Sequence, residues 1–126
     1  MCALPICMSM QVRVNLETMN DDGSARPAGG VLIAHDPPGV AGVRVDGYGY
    51  AGYRTSPAFD SLLAKLIAFG ADRAAAYARA RRALGEMAVE GLATSLPFHR
   101  WILDNDDFIA GRTSTGWTEQ HWTPER

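Results

Sequence analysis

Polar and apolar residues alternate through Gln11-Val12-Arg13-Val14-Asn15-Leu16, the pattern of a strand with one wet face and one buried face. Turn chemistry follows at residues 20–24 and 26–30, and a second apolar run, Val31-Leu32-Ile33-Ala34, stops at Asp36-Pro37-Pro38-Gly39. A third strand is expected over Gly42-Val43-Arg44-Val45-Asp46, with Tyr48, Tyr50 and Tyr53 in the glycine-rich stretch behind it. The links are too short for helical crossovers, so these strands should pair antiparallel.

From residue 56 the pattern turns helical. Ser56-Pro57 can open a helix over residues 59–67, with Gly70 at its C-terminal stop. Asp72 should cap a longer helix over residues 73–89, in which Tyr77, Ala80, Leu84, Met87 and Ala88 form an apolar stripe. Arg79, Arg82 and Glu86 fall on other faces and read as solvated. Ser95 with Pro97 starts a third helix that runs through Leu103. Asp106-Asp107-Phe108 leads to Gly111, and residues 113–126 read as a strand with a loose tail. The fold class is therefore α+β: a small antiparallel sheet, the rudiment of a barrel-sandwich, packed with about three helices.

Composition narrows the function classes. The 126 residues suit one domain, and 47% hydrophobic with 21% charged residues is ordinary globular usage. A net charge of −2 gives no reason to expect nucleic acid. No run approaches the ~18 apolar residues of a membrane helix. Cys2 and Cys7 lack further partners at zinc-like spacing, so no metal site is expected. The apolar opening lacks a charged start and is broken by Pro5, which points to a soluble protein of the cytoplasm rather than a secreted one.

Catalytic motifs are scarce. There is no Walker-type phosphate loop, and Gly47-Tyr48-Gly49-Tyr50-Ala51-Gly52 is separated from the next expected helix by Pro57 and its neighbours, so no helix terminus receives a phosphate there. His35, His99 and His121 are scattered. His35 precedes a proline-rich turn and is a candidate for a nearby site, whereas His99 reads as packing or capping. On a helix, Asp60 and Lys65 would stand about 140° apart. Asp60 then suits a helix N-terminus, and Lys65 amid leucines must snorkel or reach an acid. Arg44 and Asp46 share a strand face, leaving two readings open: an internal ion pair, or a guanidinium offered to an oxyanion.

From Gln11 to Trp122 the chain resembles the C-terminal domain of biotin carboxylases, a module of acetyl-CoA, propionyl-CoA, pyruvate and urea carboxylases. Four stretches carry the resemblance: Gln11-Val12-Arg13-Val14-Asn15; Gly42-Val43-Arg44-Val45-Asp46 with Tyr50-Ala51-Gly52-Tyr53; Ser56-Pro57-Ala58-Phe59-Asp60-Ser61-Leu62-Leu63-Ala64-Lys65-Leu66-Ile67 with Gly70 and Asp72-Arg73; and Glu90-Gly91-Leu92-Ala93-Thr94-Ser95-Leu96-Pro97-Phe98-His99. Cys7-Met8-Ser9-Met10 departs from the Gly-His pair favoured there, and residues 26–30 follow the usual turn only loosely. Residues 1–10 read as an N-terminal extension, 11–122 as the domain and 123–126 as a tail.

The resemblance implies several expectations. In the family an N-terminal domain and an ATP-grasp domain hold ATP, magnesium and bicarbonate. Those residues lie outside this sequence, so the chain alone should neither bind nor hydrolyse ATP and should bind no cofactor of its own. Biotin would be presented by a partner. Arg44 aligns with the arginine that contacts bicarbonate and the ureido oxygen of biotin and stabilises the biotin enolate. From the residues themselves, Tyr48, Tyr53, Lys65 and His35 are added as candidate substrate-binding residues, with a concave site of aromatic or apolar walls expected around Arg44. Expected partners are an ATP-grasp carboxylase subunit, a biotin carrier and a second copy of the chain, the last through residues near Phe69 to Arg73. Two other functions remain open: an ATP-independent isomerase, decarboxylase or cyclase on the same fold, and a non-catalytic oligomerisation module.

Overall fold

A computed structural model describes residues 7–124. Nine short strands and four helices follow in chain order: β1 (Met8–Asn15), β2 (Glu17–Met19), β3 (Ala25–Pro27), β4 (Gly30–Val31), β5 (Ala34–Asp36), β6 (Val43–Gly47), β7 (Arg54–Thr55), β8 (Leu62–Gly70), α1 (Arg73–Glu86), β9 (Ala88–Glu90), α2 (Leu96–Leu103), α3 (Asp106–Ile109) and α4 (Trp117–His121). The class is α+β, as the pattern implies, and every strand pair is antiparallel. Because β1 begins at Met8, three residues read as extension belong to the first strand. Cys2 lies outside the described residues.

The main departure is β8. The run expected as a helix over residues 59–67 is the central strand of a three-stranded sheet ordered β1-β8-β6. Hydrogen-bonding neighbours on both edges and burial on one face permit a nearly continuous apolar run, which periodicity cannot distinguish from a helix. Asp60 accepts from the Leu62 amide at 2.8 Å, and Ser56 Oγ accepts from the Ala58 amide at 3.2 Å, so Ser56-Pro57 builds turns rather than a helix start. Lys65 and Asp60 therefore share no helix. Gly70 ends the strand and not a helix. A Cβ there would stand 2.5 Å from the Ala76 amide nitrogen and 2.7 Å from Ala75 Cβ, so glycine permits the start of α1 to press against the sheet.

The core forms between the inner face of this sheet and α1. Val12, Val14, Ala64, Leu66 and Ala68 meet Ala80, Ala83 and Leu84, all buried. The alanines keep the helix close to the sheet. Asp72 caps α1 as expected, accepting from Ala75 N at 2.8 Å. The helix ends at Glu86, shorter than expected, because residues 88–90 leave it to pair with β5. The second expected strand also breaks. Its first part pairs with β7 and its last with β9, with Leu32 fully buried between them and held by Tyr53 and Gly52.

No strand forms over residues 113–124; instead Trp117–His121 make the short helix α4, and residues 125–126 lie outside the described residues. Its flanking residues explain the difference. Trp117 and Trp122 bury against Trp101 with ring centroids 5.5 and 5.0 Å away, and Trp122 Nε1 donates to the Asn20 carbonyl at 3.0 Å. Of the residues expected on a solvated face, Arg82 and Glu86 form an exposed pair, and Arg81 beside them pairs with Asp104. Arg79 instead donates to the Phe69 carbonyl at 2.6 Å, with its guanidinium 5.5 Å from that ring's centroid.

Candidate functional site

Strand alternation gives the three-stranded sheet two unlike faces. One face carries Ala64, Leu66 and Ala68 into the core. The other carries Lys65, Ile67 and Phe69 from β8, Ser9, Gln11 and Arg13 from β1, and Arg44 and Asp46 from β6. Register places them in rows: Lys65 stands between Arg13 and Asp46, and Ile67 between Gln11 and Arg44. Directly opposed Cβ atoms lie about 4.5–5.5 Å apart, so each row is a set of neighbours.

Arg44 is exposed in this row and not buried. Its side chain is 72% accessible, and Nε and a terminal guanidinium nitrogen stand 3.2 and 3.1 Å from Asp46 Oδ2, with the Asp46 side chain 45% accessible. An exposed pair of this kind contributes about 0–1 kcal/mol, so it orients the guanidinium without locking it. The two readings of Arg44 therefore coexist: the pair is present, and the donors remain reachable. Arg13 lies 4.0 Å from Asp60, also at the surface. Three cations and two carboxylates thus line one open face.

The five candidate residues are only partly brought together. Arg44 and Lys65 share the outer face, one row apart. Tyr48 and Tyr53 meet edge to face with centroids 5.4 Å apart, beside a cavity of about 60 Å³ closed by Pro57, Phe59 and Asp60. Arg44 is absent from the lining of that cavity. Burial, followed by the neighbouring Tyr53 and Asp60, raises the Tyr48 pKa. His35 sits on β5, half-buried beneath the glycine-rich stretch. A Cβ on Gly49 would come within 3.4 Å of its ring and 2.7 Å of Leu63. Burial lowers the His35 pKa, and its Nδ1 is buried without a partner among the described residues. Gln11 and Arg13 join this face although no motif marks them as site residues. Their signal was the strand alternation itself, which put both on the polar face, but without β8 as a strand nothing joined them to Arg44.

Behind this face, α2 fastens β1. The buried Ser95 hydroxyl donates to the Arg13 carbonyl at 3.2 Å and accepts from Asn15 N at 2.9 Å, while Ser95 N donates to Asn15 O at 2.9 Å. His99 Nε2 lies 2.7 Å from the same Arg13 carbonyl. A carbonyl only accepts, so this nitrogen carries the proton. Burial lowers the His99 pKa from its ordinary 6.5, outweighing the raising effects of that hydrogen bond and of Glu17. The unfolded chain then binds more protons than the folded one between the depressed value and 6.5, so stability rises with pH in that window. The contribution is full above 6.5 and is lost as pH falls through the folded value. Denaturation midpoints measured from about pH 8 down to about pH 5 should fall, and His99→Gln should flatten the slope, leaving the part owed to His35.

Comparison with known proteins agrees with this architecture. The model of the biotin carboxylase C-terminal domain matches residues 11–120. The chain belongs to that family. It is 41% identical over 112 residues to the biotin carboxylase of a Nostoc species, covering 89% of this chain and 25% of that protein. With the biotin-dependent acyl-coenzyme A carboxylase alpha3 subunit of Mycobacterium leprae it shares 41% identity over 124 residues, 94% of this chain and 20% of the relative. Among solved structures, the biotin carboxylase domain dimer of Hydrogenobacter thermophilus 2-oxoglutarate carboxylase, in complex with MgADP, ADP and bicarbonate, superposes with a TM-score of 0.82 at 34% identity, over 90% of this chain and 24% of that one. The domain thus spans about a fifth to a quarter of these relatives. Among the described residues no helix is long and apolar enough to cross a membrane, and no group of three or more His, Cys, Asp or Glu residues is placed to hold a metal ion.

Proposed function

We propose that this domain is a working part of a biotin-dependent carboxylase, contributing its outer sheet face, with Arg44 at the centre, to a site completed by ATP-grasp machinery and a biotin carrier. One observation carries the reading: Arg44 is held by a weak surface pair on an open, cation-lined face, where a second domain can lie against it. A guanidinium fork with Lys65 one row away on the neighbouring strand suits a bicarbonate oxygen or a ureido oxygen. Biotin, when presented there, supplies the nitrogen that accepts the carboxyl group. This chain's residues would orient the oxygen and favour negative charge on it. The absence of Arg44 from the aromatic cavity favours a shared site over a self-contained, ATP-independent one. The test is addition of the purified chain to a biotin carboxylase lacking its own C-terminal domain. Restored bicarbonate- and biotin-dependent ATP cleavage supports the reading, and no restoration despite a folded chain counts against it.

We further propose self-association through the β8–α1 turn. Phe69 is 53% exposed, capped by Arg79, and Arg73 beside it donates to the Phe108 carbonyl at 3.2 Å. A large exposed ring of this kind is a typical contact anchor. Sedimentation should show a dimer that Phe69→Glu converts to monomer; an unchanged monomer at high concentration would remove this surface from the account.

A further inference from the structure

A second, roomier cavity lies away from the Arg44 face, and none of its lining comes from the three-stranded sheet. It is a groove of about 1000 Å³ between β2, the end of α1 with β9, α2, and the chain around Trp122. One wall is aromatic: Phe98, Trp101 and Trp122 pack with centroids 5.0–5.9 Å apart. Such a wall receives apolar side chains of a partner.

The charges in the groove are unbalanced. Arg100 is its only lining cation among the described residues, and that guanidinium is consumed by the carbonyls of Leu84 at 2.9 Å and Met87 at 2.7 Å. Glu86 and Asp104 are neutralised by Arg82 and Arg81. Glu17 accepts only from neutral donors, Asn15 Nδ2 at 3.2 Å and Ser61 Oγ. Glu90 has no ion-pair partner among the described residues. Two of the lining acids, Glu17 and Glu90, thus have no cationic partner among the described residues.

The backbone adds a third feature. Residues of both β2 and β9 line the groove, and each strand pairs on one edge only, β2 with β3 and β9 with β5. An open strand edge is a template for an extended segment, which gains main-chain hydrogen bonds while alternate side chains enter pockets. A rounded small molecule would use neither the edges nor the length of the groove.

We propose that the groove is a docking site for an extended, basic peptide segment of a partner polypeptide. Lys or Arg would be placed against Glu17 and Glu90, with apolar residues between them on the aromatic wall. The proposal does not depend on the role of Arg44. It is tested with the full 126-residue chain and blocked hexapeptides of alternating Lys and Val, alternating Glu and Val, and a backbone N-methylated Lys–Val version. Amide NMR locates binding, and tryptophan emission reports the wall. The expected result is saturable binding of the Lys–Val peptide, with shifts confined to β2, β9 and α2. Glu90→Lys should weaken it on the order of tenfold, and N-methylation should abolish it. Equal response to the Glu–Val or N-methylated peptide, or shifts on the Arg44 face, overturns the proposal. Groove shifts that appear only on raising protein concentration assign the groove to a second copy and overturn it too.

Discussion

Replacing Arg44 by Met should lower carboxylase turnover of the assembled enzyme by about 100-fold or more, the cost of removing a donor aimed at developing negative charge. The same substitution should leave the melting temperature nearly unchanged. Arg44 is paired with Asp46, but both side chains are exposed, so the lost pair is worth about 0–1 kcal/mol rather than the ~3–5 kcal/mol of a buried pair left half-made. The two effects separate function from stability in one variant. Arg44→Lys should recover only part of the activity, since an ammonium keeps the charge and loses the planar fork. A large stability loss with unchanged turnover would reverse the assignment.

Leu66→Ala should be the most damaging of the conservative core substitutions. Leu66 is fully buried on the central strand, opposite Val12 on one side and Val45 on the other, and it faces the alanines of α1. Truncating such a residue costs about 2–5 kcal/mol through lost burial and the cavity left behind. That is a large share of the roughly 5–15 kcal/mol by which a domain is stable. Thermal or denaturant unfolding should register it directly. A cost below about 1 kcal/mol would mean that the sheet–helix contact is not the core.

Much of this fold is legible in the sequence where the physics is local. Alternation at Val12 and Val14, the Asp72 cap and the proline at the start of α2 each depend on neighbours a few residues away. Residues 62–70 are different. Leucine, alanine and lysine are good helix formers, and the strand exists because β1 and β6 pair on its two edges. Only the register shows that Lys65 lies between Arg13 and Asp46, so the candidate site could be read as Arg44 alone but not as a face. His35 and the tyrosines were singled out for residue type, and the fold places His35 under Gly49 and the tyrosines beside a small separate cavity. The groove has no local signal in the sequence because its walls come from three separated segments. Helix α4 depends on tryptophans packing across more than a dozen residues of chain, a contact without local periodicity.

The central claim is that this domain works as part of a biotin-dependent carboxylase. The most direct measurement is affinity purification of the tagged chain from its native cells, followed by assay of the eluate for ATP cleavage that requires both biotin and bicarbonate. The account predicts that an ATP-grasp polypeptide and a biotinylated carrier arrive with the chain, and that the activity falls about 100-fold when the tagged chain carries Arg44→Met. A chain that elutes alone, folded and without such activity, would contradict it.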